Sequence, residues 1–351
     1  MRKIKVKASR AYDIIIGEDI LSKTGPLCRE VLGAGRVCVV TDTNVEPLYY
    51  DTVRASLWGA GFEVIKFTIP AGEASKSTAS LVELLEFMAE NRLTRSDCMV
   101  ALGGGVVGDL CGFAAAVYLR GIKFVQVPTT LLAAVDSSVG GKTAVDLRAG
   151  KNLAGAFHQP SLVICDYKTL DTLPPKVFAD GCAEVIKYGV INDRELFDAL
   201  KGGIRSDLEN IIAQCVINKA NIVEDDEFDL GNRQLLNLGH TVGHAIELCS
   251  GLEISHGSAV AIGMVIVMRS AIKQGLCPTE ALTELISLLK QEDLPTSCSF
   301  TASELAEAAL GDKKRAGSNI TLVVPFGIGD SRLIRTPVSE LEEFIAKGLE
   351  A

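Results

Sequence analysis

Residues 98–109 read Cys-Met-Val-Ala-Leu-Gly-Gly-Gly-Val-Val-Gly-Asp, and this stretch decides the fold class. The apolar residues 98–102 predict a buried strand, and the glycines after them predict a tight turn into a helix. Gly103, Gly105 and Gly108 match G-x-G-x-x-G, in which glycines let the backbone approach a pyrophosphate at a helix N-terminus. Earlier strands precede the match, and no acidic residue follows on a new strand about 20 residues later. The stretch predicts a nucleotide site in an α/β domain, but not an ordinary dinucleotide fingerprint.

The chain on both sides of this stretch alternates between strand and helix patterns. Apolar runs at residues 35–41, 62–67, 124–127 and 161–165 predict strands, and residues 80–91 predict a helix. Leu173-Pro174-Pro175 interrupts the alternation, and helical patterns dominate afterwards, near residues 209–226 and 257–273, before a strand-like run at 319–324. We therefore predict an α/β domain over residues 1–175 and a mainly α-helical domain over residues 176–351.

Three of the four histidines lie between positions 240 and 256. His240 and His244 are four residues apart, so on a helix both imidazoles would project from one face. Thr241 follows the first histidine, which excludes the metalloprotease pattern H-E-x-x-H. Because imidazole is the commonest metal ligand, we interpret the cluster as a metal site, the alternative being structural histidines on a helix face.

A catalytic metal with three protein ligands would need a further ligand, and a carboxylate is the natural choice. Glu184 lies in an otherwise apolar stretch, residues 183–188, together with Lys187. An i, i+3 ion pair between the two would account for the charge. The alternative hypothesis makes Glu184 the missing metal ligand.

Composition limits the classes of function. The net charge is −9 and there is no long basic block, which argues against nucleic acid or anionic lipid as partners. No stretch of 18 uncharged apolar residues exists, so we expect neither a membrane span nor export. The ten cysteines contain no C-x-x-C pair, and several lie in apolar runs, which predicts buried thiols in a reducing cytoplasm.

Basic and amide side chains among glycines predict an anion site. Residues 141–143, Gly-Lys-Thr, resemble the end of a P-loop, but Asp136 stands where the first glycine of that motif would be. Lys142, Lys151 and Asn152 are nevertheless candidate anion ligands in an acidic protein. The alternative is that they are solvated loop residues.

Further runs extend a family resemblance over nearly the whole chain. They are residues 101–109, 128–132, 136–143, 150–152, 155–160, 183–187 and 237–247, and the pair His256-Gly257. In combination they resemble the 3-dehydroquinate synthases, and Val-Gly-Gly-Lys-Thr at 139–143 favours this family over related sugar phosphate cyclases.

The resemblance implies an N-terminal α/β, NAD-binding, Rossmann-like domain and a mainly α-helical C-terminal metal-binding domain, in a homodimer with the active site in the cleft between domains. It also implies a reaction of the shikimate pathway, in which 3-deoxy-D-arabino-heptulosonate 7-phosphate becomes 3-dehydroquinate and phosphate. That reaction comprises transient oxidation by NAD, phosphate elimination, reduction and intramolecular aldol closure.

The resemblance also implies roles for individual residues. Zn²⁺, with Co²⁺ as a substitute, would be held by Glu184, His240 and His256, and His244 would transfer protons and contact phosphate, which corrects the i, i+4 pairing above. The other catalytic residues would be Asp136, Lys142, Lys187, Arg233 and Asn237. Substrate would also contact Asn152, Lys219, one of Lys313 and Lys314, and Arg120 from the neighbouring subunit. NAD would contact Asp42, Asn44, Glu73, Lys76, Gly104, Gly105, Val106, Asp109, Thr129, Thr130, Lys151, Thr169 and Thr172.

One position departs from the family pattern, and three alternative functions stay open. Asp229 stands four residues before Arg233, where the family usually has Glu. The alternatives are a metal-dependent polyol dehydrogenase of the glycerol type, another sugar phosphate cyclase, and a binding protein without activity. A dehydrogenase would release NADH and would not need so many phosphate ligands.

Overall fold

The computed structural model describes residues 1–311 and 318–350, which fall into two compact units. Unit 1 consists of Met1–Leu173 and Lys219–Glu227, and unit 2 consists of Pro174–Asn218 and Phe228–Ala351. Lys313 and Lys314, which the family resemblance marks as substrate contacts, lie outside the described residues.

Unit 1 is built on a mostly parallel sheet. Its strands are β1 (Arg2–Val6), β2 (Tyr12–Gly17), β3 (Arg36–Asp42), β4 (Glu63–Ile69), β5 (Cys98–Gly103), β6 (Lys123–Pro128), β7 (Lys142–Leu147), β8 (Gly150–Phe157) and β9 (Leu162–Asp166), and its helices are α1 (Thr24–Leu32), α2 (Glu46–Gly59), α3 (Thr78–Glu90) and α4 (Gly105–Val117). One sheet has the order β1-β2-β9-β6-β5-β3-β4, in which only β1 and β2 pair antiparallel. Strands β7 and β8 form a separate antiparallel hairpin.

The central strands are apolar because helices cover both faces of the sheet. Successive side chains of a strand point to opposite faces. Val39 accordingly lies in one core cluster, with side chains of α1 and α2, and Val40 in the other, with side chains of α3 and α4. This two-layer cover is what the alternating strand and helix patterns predict, and every strand predicted from them is present.

Two hairpins of unit 1, β1–β2 and β7–β8, were not predicted from the sequence. Strand β1 carries Lys3 and Lys5 and forms the sheet edge, where a polar strand is tolerated but gives a weak apolar pattern. Strand β8, Gly-Lys-Asn-Leu-Ala-Gly-Ala-Phe, consists largely of residues with low β-propensity. Its partner β7 begins inside the segment that resembles the end of a P-loop, and the sequence pattern there predicted no strand.

Unit 2 is mainly helical and closes with a hairpin. Its elements include α5 (Pro175–Asn192), α6 (Arg194–Leu200), the first part of α7 (Leu208–Asp225), α8 (His240–Cys249), α9 (His256–Lys273), α10 (Thr279–Gln291), α11 (Ala302–Leu310), the strands β10 (Asn319–Gly327) and β11 (Asp330–Pro337), and α12 (Leu341–Leu349). Helix α9 is buried along most of its length and packs against α5, α8 and α12. A helix with apolar residues on all sides belongs in a core.

The end of α7 groups with unit 1, although the sequence places it in the second domain. Lys219 donates hydrogen bonds to Asp136 in unit 1. A second anchor is Glu227, which accepts hydrogen bonds from the backbone and side chain of Ser9. A single boundary near residue 175 therefore misses a segment that returns to unit 1 through long-range polar contacts.

No helix among residues 1–311 and 318–350 is both long and apolar enough to cross a membrane. None of the ten cysteines forms a disulfide, and eight of them are buried.

Candidate functional site

Three side chains of unit 2 bring possible metal ligand atoms together. Glu184 is fully buried on α5, while His240 and His256 are the first residues of α8 and α9. The Nε2 atoms of both histidines lie 3.4 Å from the same carboxylate oxygen, Oε1 of Glu184. One carboxylate and two imidazoles on three helices make a ligand set that suits a divalent ion with an open coordination position.

The environment of Glu184 fits a metal ligand better than a simple ion pair. Its carboxylate contacts Nζ of Lys187, yet neither oxygen accepts a hydrogen bond of regular geometry. Burial alone would raise the pKa of Glu184, but Lys187 and His240 outweigh it and hold that pKa well below its usual range. A buried, ionised carboxylate with unsatisfied oxygens is costly unless a cation completes its contacts. The i, i+3 ion pair is thus present, and the residue still fits a cation.

Glu247 orients one of the histidines. Its side chain is 4% exposed, and Oε2 lies 3.2 Å from Nδ1 of His256. The other histidine uses the carbonyl oxygen of Leu238, 3.1 Å from Nδ1 of His240. Burial lowers the pKa of His256, but contacts with Glu184 and Glu247 outweigh it and raise that pKa to about 10. With both Nδ1 atoms occupied, the two Nε2 atoms are the ones directed at Glu184.

Sequence reasoning gave Glu247 no role, although it ends the quoted run at residues 237–247. The available signal was a carboxylate three residues after His244 in the apolar helix α8, since a buried acid needs a partner.

Close backbone contacts set the positions of these helices. A methyl group on Gly257 would lie 2.2 Å from the carbonyl oxygen of Asp180 on α5, and one on Gly263 would lie 2.1 Å from that of Gly239. Asp180 also accepts hydrogen bonds at Oδ1 from Oγ of Ser255, at 2.6 Å, and from the backbone N of Ser258. The start of α9 is therefore fastened to α5 four residues before Glu184.

His244 adjoins the cluster without being buried in it. It lies one turn after His240 on α8 and is exposed, and its ring centroid is 5.4 Å from that of His240 and 5.8 Å from that of His256. Among the described residues, His244, Glu247 and His256 form a second group whose ligand atoms lie within 4.8 Å of one another. The geometry alone therefore permits His244 as a ligand or as a neighbouring proton carrier.

The other predicted residues of unit 2 lie close to the cluster along the chain. Lys187 follows Glu184 by one turn and is 1% exposed. Arg233, also 1% exposed, and Asn237, which is exposed, belong to the short helical turn Asn232–Asn237 that leads into α8. Asp229 adopts a left-handed backbone with φ +61°.

In unit 1, Asp136 lies on a π-helical turn, Ala133–Ser137, a conformation that often marks functional sites. Nζ of Lys219, 6% exposed, lies 2.7 Å from both the carbonyl oxygen and Oδ1 of Asp136. Lys142 is exposed at the start of β7, and Asn152 is exposed in β8 with a left-handed φ of +59°. The predicted catalytic and substrate-binding residues Asp136, Lys219, Lys142 and Asn152 thus lie on the π-helical turn, on α7 and on the β7–β8 hairpin.

Arg120 lies on an unusual turn. Leu119 and Arg120 have φ of +49° and +69°, and two successive non-glycine residues in this region cost conformational energy. Both side chains are exposed. That Arg120 contacts the substrate of a neighbouring subunit stays a prediction.

The predicted cofactor residues lie mostly at the carboxyl ends of the parallel strands. Strands β9, β6, β5, β3 and β4 are parallel neighbours, and ligands of such sheets bind outside the carboxyl ends of the strands. Every predicted cofactor residue except Lys151, which lies in β8, is at or after one of these ends: Asp42 and Asn44 for β3; Glu73 and Lys76 for β4; Gly104, Gly105, Val106 and Asp109 for β5; Thr129 and Thr130 for β6; Thr169 and Thr172 for β9.

The turn between β5 and α4 fits a pyrophosphate. Gly104 is the N-cap of α4, and the first N–H groups of a helix lack partners within the helix. A methyl group on Gly103 would lie 2.6 Å from the side chain of Val107, and one on Gly104 would lie 3.0 Å from that of Thr130. Asp42 caps its own turn, because Oδ1 accepts hydrogen bonds from the backbone N of Asn44 and Val45.

Comparison with known proteins adds a family likeness over most of the chain. A family model described as 3-dehydroquinate synthase N-terminal matches residues 66–180, and one described as 3-dehydroquinate synthase C-terminal matches residues 181–315. A 3-dehydroquinate synthase of Streptococcus suis (strain 05ZYH33) is 43% identical over 343 residues, covering 95% of this chain and 96% of that one. One from Caulobacter vibrioides (strain NA1000 / CB15N) is 46% identical over 338 residues, covering 92% and 91%.

Two solved structures share the fold. The 2-epi-5-epi-valiolone synthase ValA from Streptomyces hygroscopicus subsp. jinggangensis 5008, with NAD⁺ and Zn²⁺ bound, has a TM-score of 0.88 and 28% identity, covering 100% of this chain and 99% of its own. A 2-deoxy-scyllo-inosose synthase complexed with carbaglucose-6-phosphate, NAD⁺ and Co²⁺ has a TM-score of 0.87 and 26% identity, covering 99% and 100%. Each of these two proteins holds NAD⁺ and a divalent metal ion.

Proposed function

The chain belongs to the 3-dehydroquinate synthase family, and from that premise we propose that it converts 3-deoxy-D-arabino-heptulosonate 7-phosphate into 3-dehydroquinate and phosphate, a step of the shikimate pathway to chorismate and the aromatic amino acids. The observation that carries the proposal is the buried carboxylate of Glu184 with two histidine Nε2 atoms 3.4 Å from one of its oxygens. A binding protein without activity would have no use for a metal cluster together with so many residues that can bind anions.

NAD and one divalent metal ion, Zn²⁺ with Co²⁺ as a substitute, are the proposed cofactors. The glycine turn before α4 supports the first, and the unsatisfied oxygens of Glu184 support the second. When bound, NAD⁺ would accept a hydride from the C5 carbinol and return it later, while the metal would act as a Lewis acid at that hydroxyl. Glu184, His240 and His256 would hold the metal, and residues at the carboxyl ends of the unit 1 strands would hold NAD.

Lys187 and Glu247 would keep the metal ligands in their binding forms. Lys187 contacts the carboxylate of Glu184 and stabilises its ionised state, which is the state that binds a cation. Glu247 faces Nδ1 of His256 and thereby directs Nε2 toward Glu184. Both residues would act before substrate arrives, by fixing the geometry of the ligand set.

His244 is the proposed proton carrier. It is exposed beside the metal ligands, and an imidazole can accept a proton at one nitrogen near neutral pH and release it later. A ketone at C5 would acidify the C6 proton, and His244 would help to remove that proton as the C7–O bond breaks and phosphate leaves. His244 would contact the phosphate during this elimination. Cleavage of the C7–O bond would make the enzyme a carbon–oxygen lyase.

The basic and amide residues would bind the two anionic groups of the substrate. Lys142, Asn152 and Arg233 offer N–H donors, and hydrogen bonds from charged donors to phosphate are about twice as strong as neutral ones. Asp136, paired with Lys219, would accept hydrogen bonds from substrate hydroxyls. Lys187 and Asn237 complete the proposed contacts.

Three further expectations are part of the proposal. The enzyme would act as a homodimer in which Arg120 reaches the site of the neighbouring subunit, and it would work in the cytoplasm. One of Lys313 and Lys314 would also contact substrate.

A stoichiometric assay tests the function. Zn²⁺-loaded enzyme is incubated with the heptulosonate phosphate and a catalytic amount of NAD⁺, and inorganic phosphate and NADH absorbance are followed together. A synthase returns the hydride, so phosphate should far exceed the NAD⁺ supplied, without lasting NADH.

The two main alternatives give different results in the same assay. NADH that rises mole for mole with a ketone product, without phosphate, would replace the proposal with a polyol dehydrogenase. Turnover of a hexose phosphate or heptulose phosphate in preference to the heptulosonate would indicate another sugar phosphate cyclase.

A further inference from the structure

Lys76 connects two parts of unit 1 that the proposed function uses separately. Its side chain is 7% exposed, and Nζ lies 2.5 Å from Oδ2 of Asp109 on α4. The same Nζ donates a hydrogen bond to Oδ1 of Asn152 in the β7–β8 hairpin. The ammonium group of Lys76 therefore links α4 to Asn152, a residue that is predicted to bind substrate.

Two backbone hydrogen bonds complete a closed network around this contact. The backbone N of Asn152 donates to Oδ1 of Asp146 over 2.8 Å, and the backbone N of Asp146 donates to the carbonyl oxygen of Lys76 over 2.8 Å. Asn152 adopts φ of +59°, a conformation that asparagine tolerates better than most residues. The main chain of Asn152 is thus fixed by Asp146, and its side chain by Lys76.

The chemistry of the two side chains determines which way the amide faces. A lysine ammonium only donates hydrogen bonds, so the partner atom of Asn152 must be the amide oxygen. The Nδ2 group then points away from Lys76 and offers two N–H donors. Rotation of the amide by half a turn would place these donors against the ammonium and would present an oxygen to the substrate.

We propose that Lys76 is a positioning residue for substrate, because it holds the Asn152 amide with its N–H donors directed at an anionic or hydroxyl oxygen of the sugar phosphate. This inference rests on the proposed function. It adds a link between α4, which follows the glycine turn, and the substrate. Through Asp109, the same ammonium is tied to α4, whose N-terminus would bind the pyrophosphate of NAD.

A contact with NAD, which the family resemblance implies for Lys76, does not exclude this role. Two of its three N–H donors already have partners inside the protein. Burial lowers the pKa of Lys76, but Asp109 outweighs it and leaves that pKa raised, so the ammonium stays charged and retains its donors.

A double-mutant cycle tests the link. The four proteins are wild type, Lys76→Met, Asn152→Ala and the double variant, all loaded with Zn²⁺ and saturated with NAD⁺. Calorimetry with a non-reactive phosphonate analogue of the heptulosonate phosphate gives the dissociation constants. Lys76→Met should raise the dissociation constant of the analogue about tenfold in the wild-type background, as expected for one lost hydrogen bond to a charged group. It should weaken the analogue less than twofold in the Asn152→Ala background, because the amide that Lys76 positions is already absent.

Controls separate positioning from loss of folding. Lys76→Met leaves the Asp109 carboxylate without its ammonium, so Lys76→Met/Asp109→Leu, which removes both charges, provides a second variant if the first unfolds. Lys123→Met is the control substitution. Lys123 is exposed at the amino end of β6, away from the carboxyl ends of the strands, so analogue affinity should stay unchanged. Lys76→Arg keeps a donor that can face Asn152 and should restore part of the affinity.

The result that overturns the inference is an equal loss of analogue affinity from Lys76→Met in both backgrounds. An effect on NAD⁺ affinity alone would also overturn it. Wild-type enzyme that neither binds the analogue nor converts the heptulosonate phosphate would instead refute the proposed function, and the inference with it.

Discussion

Replacement of Glu247 should weaken metal binding without removing a metal ligand. The carboxylate is 4% exposed and lies 3.2 Å from Nδ1 of His256, so water can replace it only poorly. Glu247→Gln keeps an acceptor of similar shape but loses the charge. Glu247→Ala removes the acceptor altogether and leaves Nδ1–H without its partner.

The size of each effect follows from hydrogen-bond energies. A hydrogen bond to a charged group contributes about 1.5–3 kcal/mol and a neutral one about 0.5–1.5 kcal/mol, so loss of the charge alone costs on the order of 1–1.5 kcal/mol. We therefore expect Zn²⁺ affinity to fall about tenfold in Glu247→Gln. Loss of the whole contact in Glu247→Ala should lower it about 10- to 100-fold, the range found for partners of metal-bound histidines.

The assay is a competitive Zn²⁺ titration of metal-free protein against a chromogenic chelator, and circular dichroism checks that each variant is folded. Glu253→Gln is the matched control, because this glutamate is exposed in the loop just before His256. Affinity within twofold of wild type in Glu247→Ala would contradict the proposed role of Glu247 in orienting His256. Complete loss of binding in Glu247→Ala, with binding retained in Glu184→Ala, would place the ion among His244, Glu247 and His256 instead.

Three further predictions concern the metal ligands, the anion site and the packing of α9 against α5. Glu184→Ala should lose the one divalent ion per chain during dialysis, and elemental analysis that finds full metal content would refute its role. Lys142→Ala and His244→Ala should each weaken a phosphonate analogue by about 1.5–3 kcal/mol, measured by calorimetry, while metal content stays unchanged; wild-type affinity in both would contradict the phosphate site. Gly257→Ala should lower the thermal midpoint by several degrees, because its methyl group would lie 2.2 Å from the carbonyl oxygen of Asp180, and an unchanged midpoint would show that α9 can shift at no cost.

The fold was predictable where local pattern and tertiary role agree. Residues 98–109 gave a buried strand, a glycine turn and a helix, and all three are present as β5, Gly104 and α4. The β7–β8 hairpin was not predictable, because its glycines and alanines carry little strand preference and a nearby Gly-Lys-Thr favours a different interpretation.

The candidate site was predictable in its residue types and less so in its connections. Histidines crowded at 240–256 and a glutamate in an apolar helix indicated a metal site, since both are rare unless needed, but the choice of His256 over His244 came from the family resemblance. The roles of Glu247 and Lys76 depend on which atoms face each other across helices and hairpins. Separations of 9 and 76 residues, as between Glu247 and His256 and between Lys76 and Asn152, leave no periodic signal in a sequence.

The glycine contacts beneath the cluster bear on how the protein acquires its metal. In small zinc domains the ion organises an otherwise unfolded chain, so removing it denatures the domain. Here Gly239 and Gly263, like Gly257 and Asp180, bring helix backbones together by van der Waals packing that involves no ligand atom. The packing of unit 2, and not the ion, therefore holds the ligand side chains in place. We expect the metal-free protein to be folded but inactive, and the ion to bind and dissociate without unfolding it.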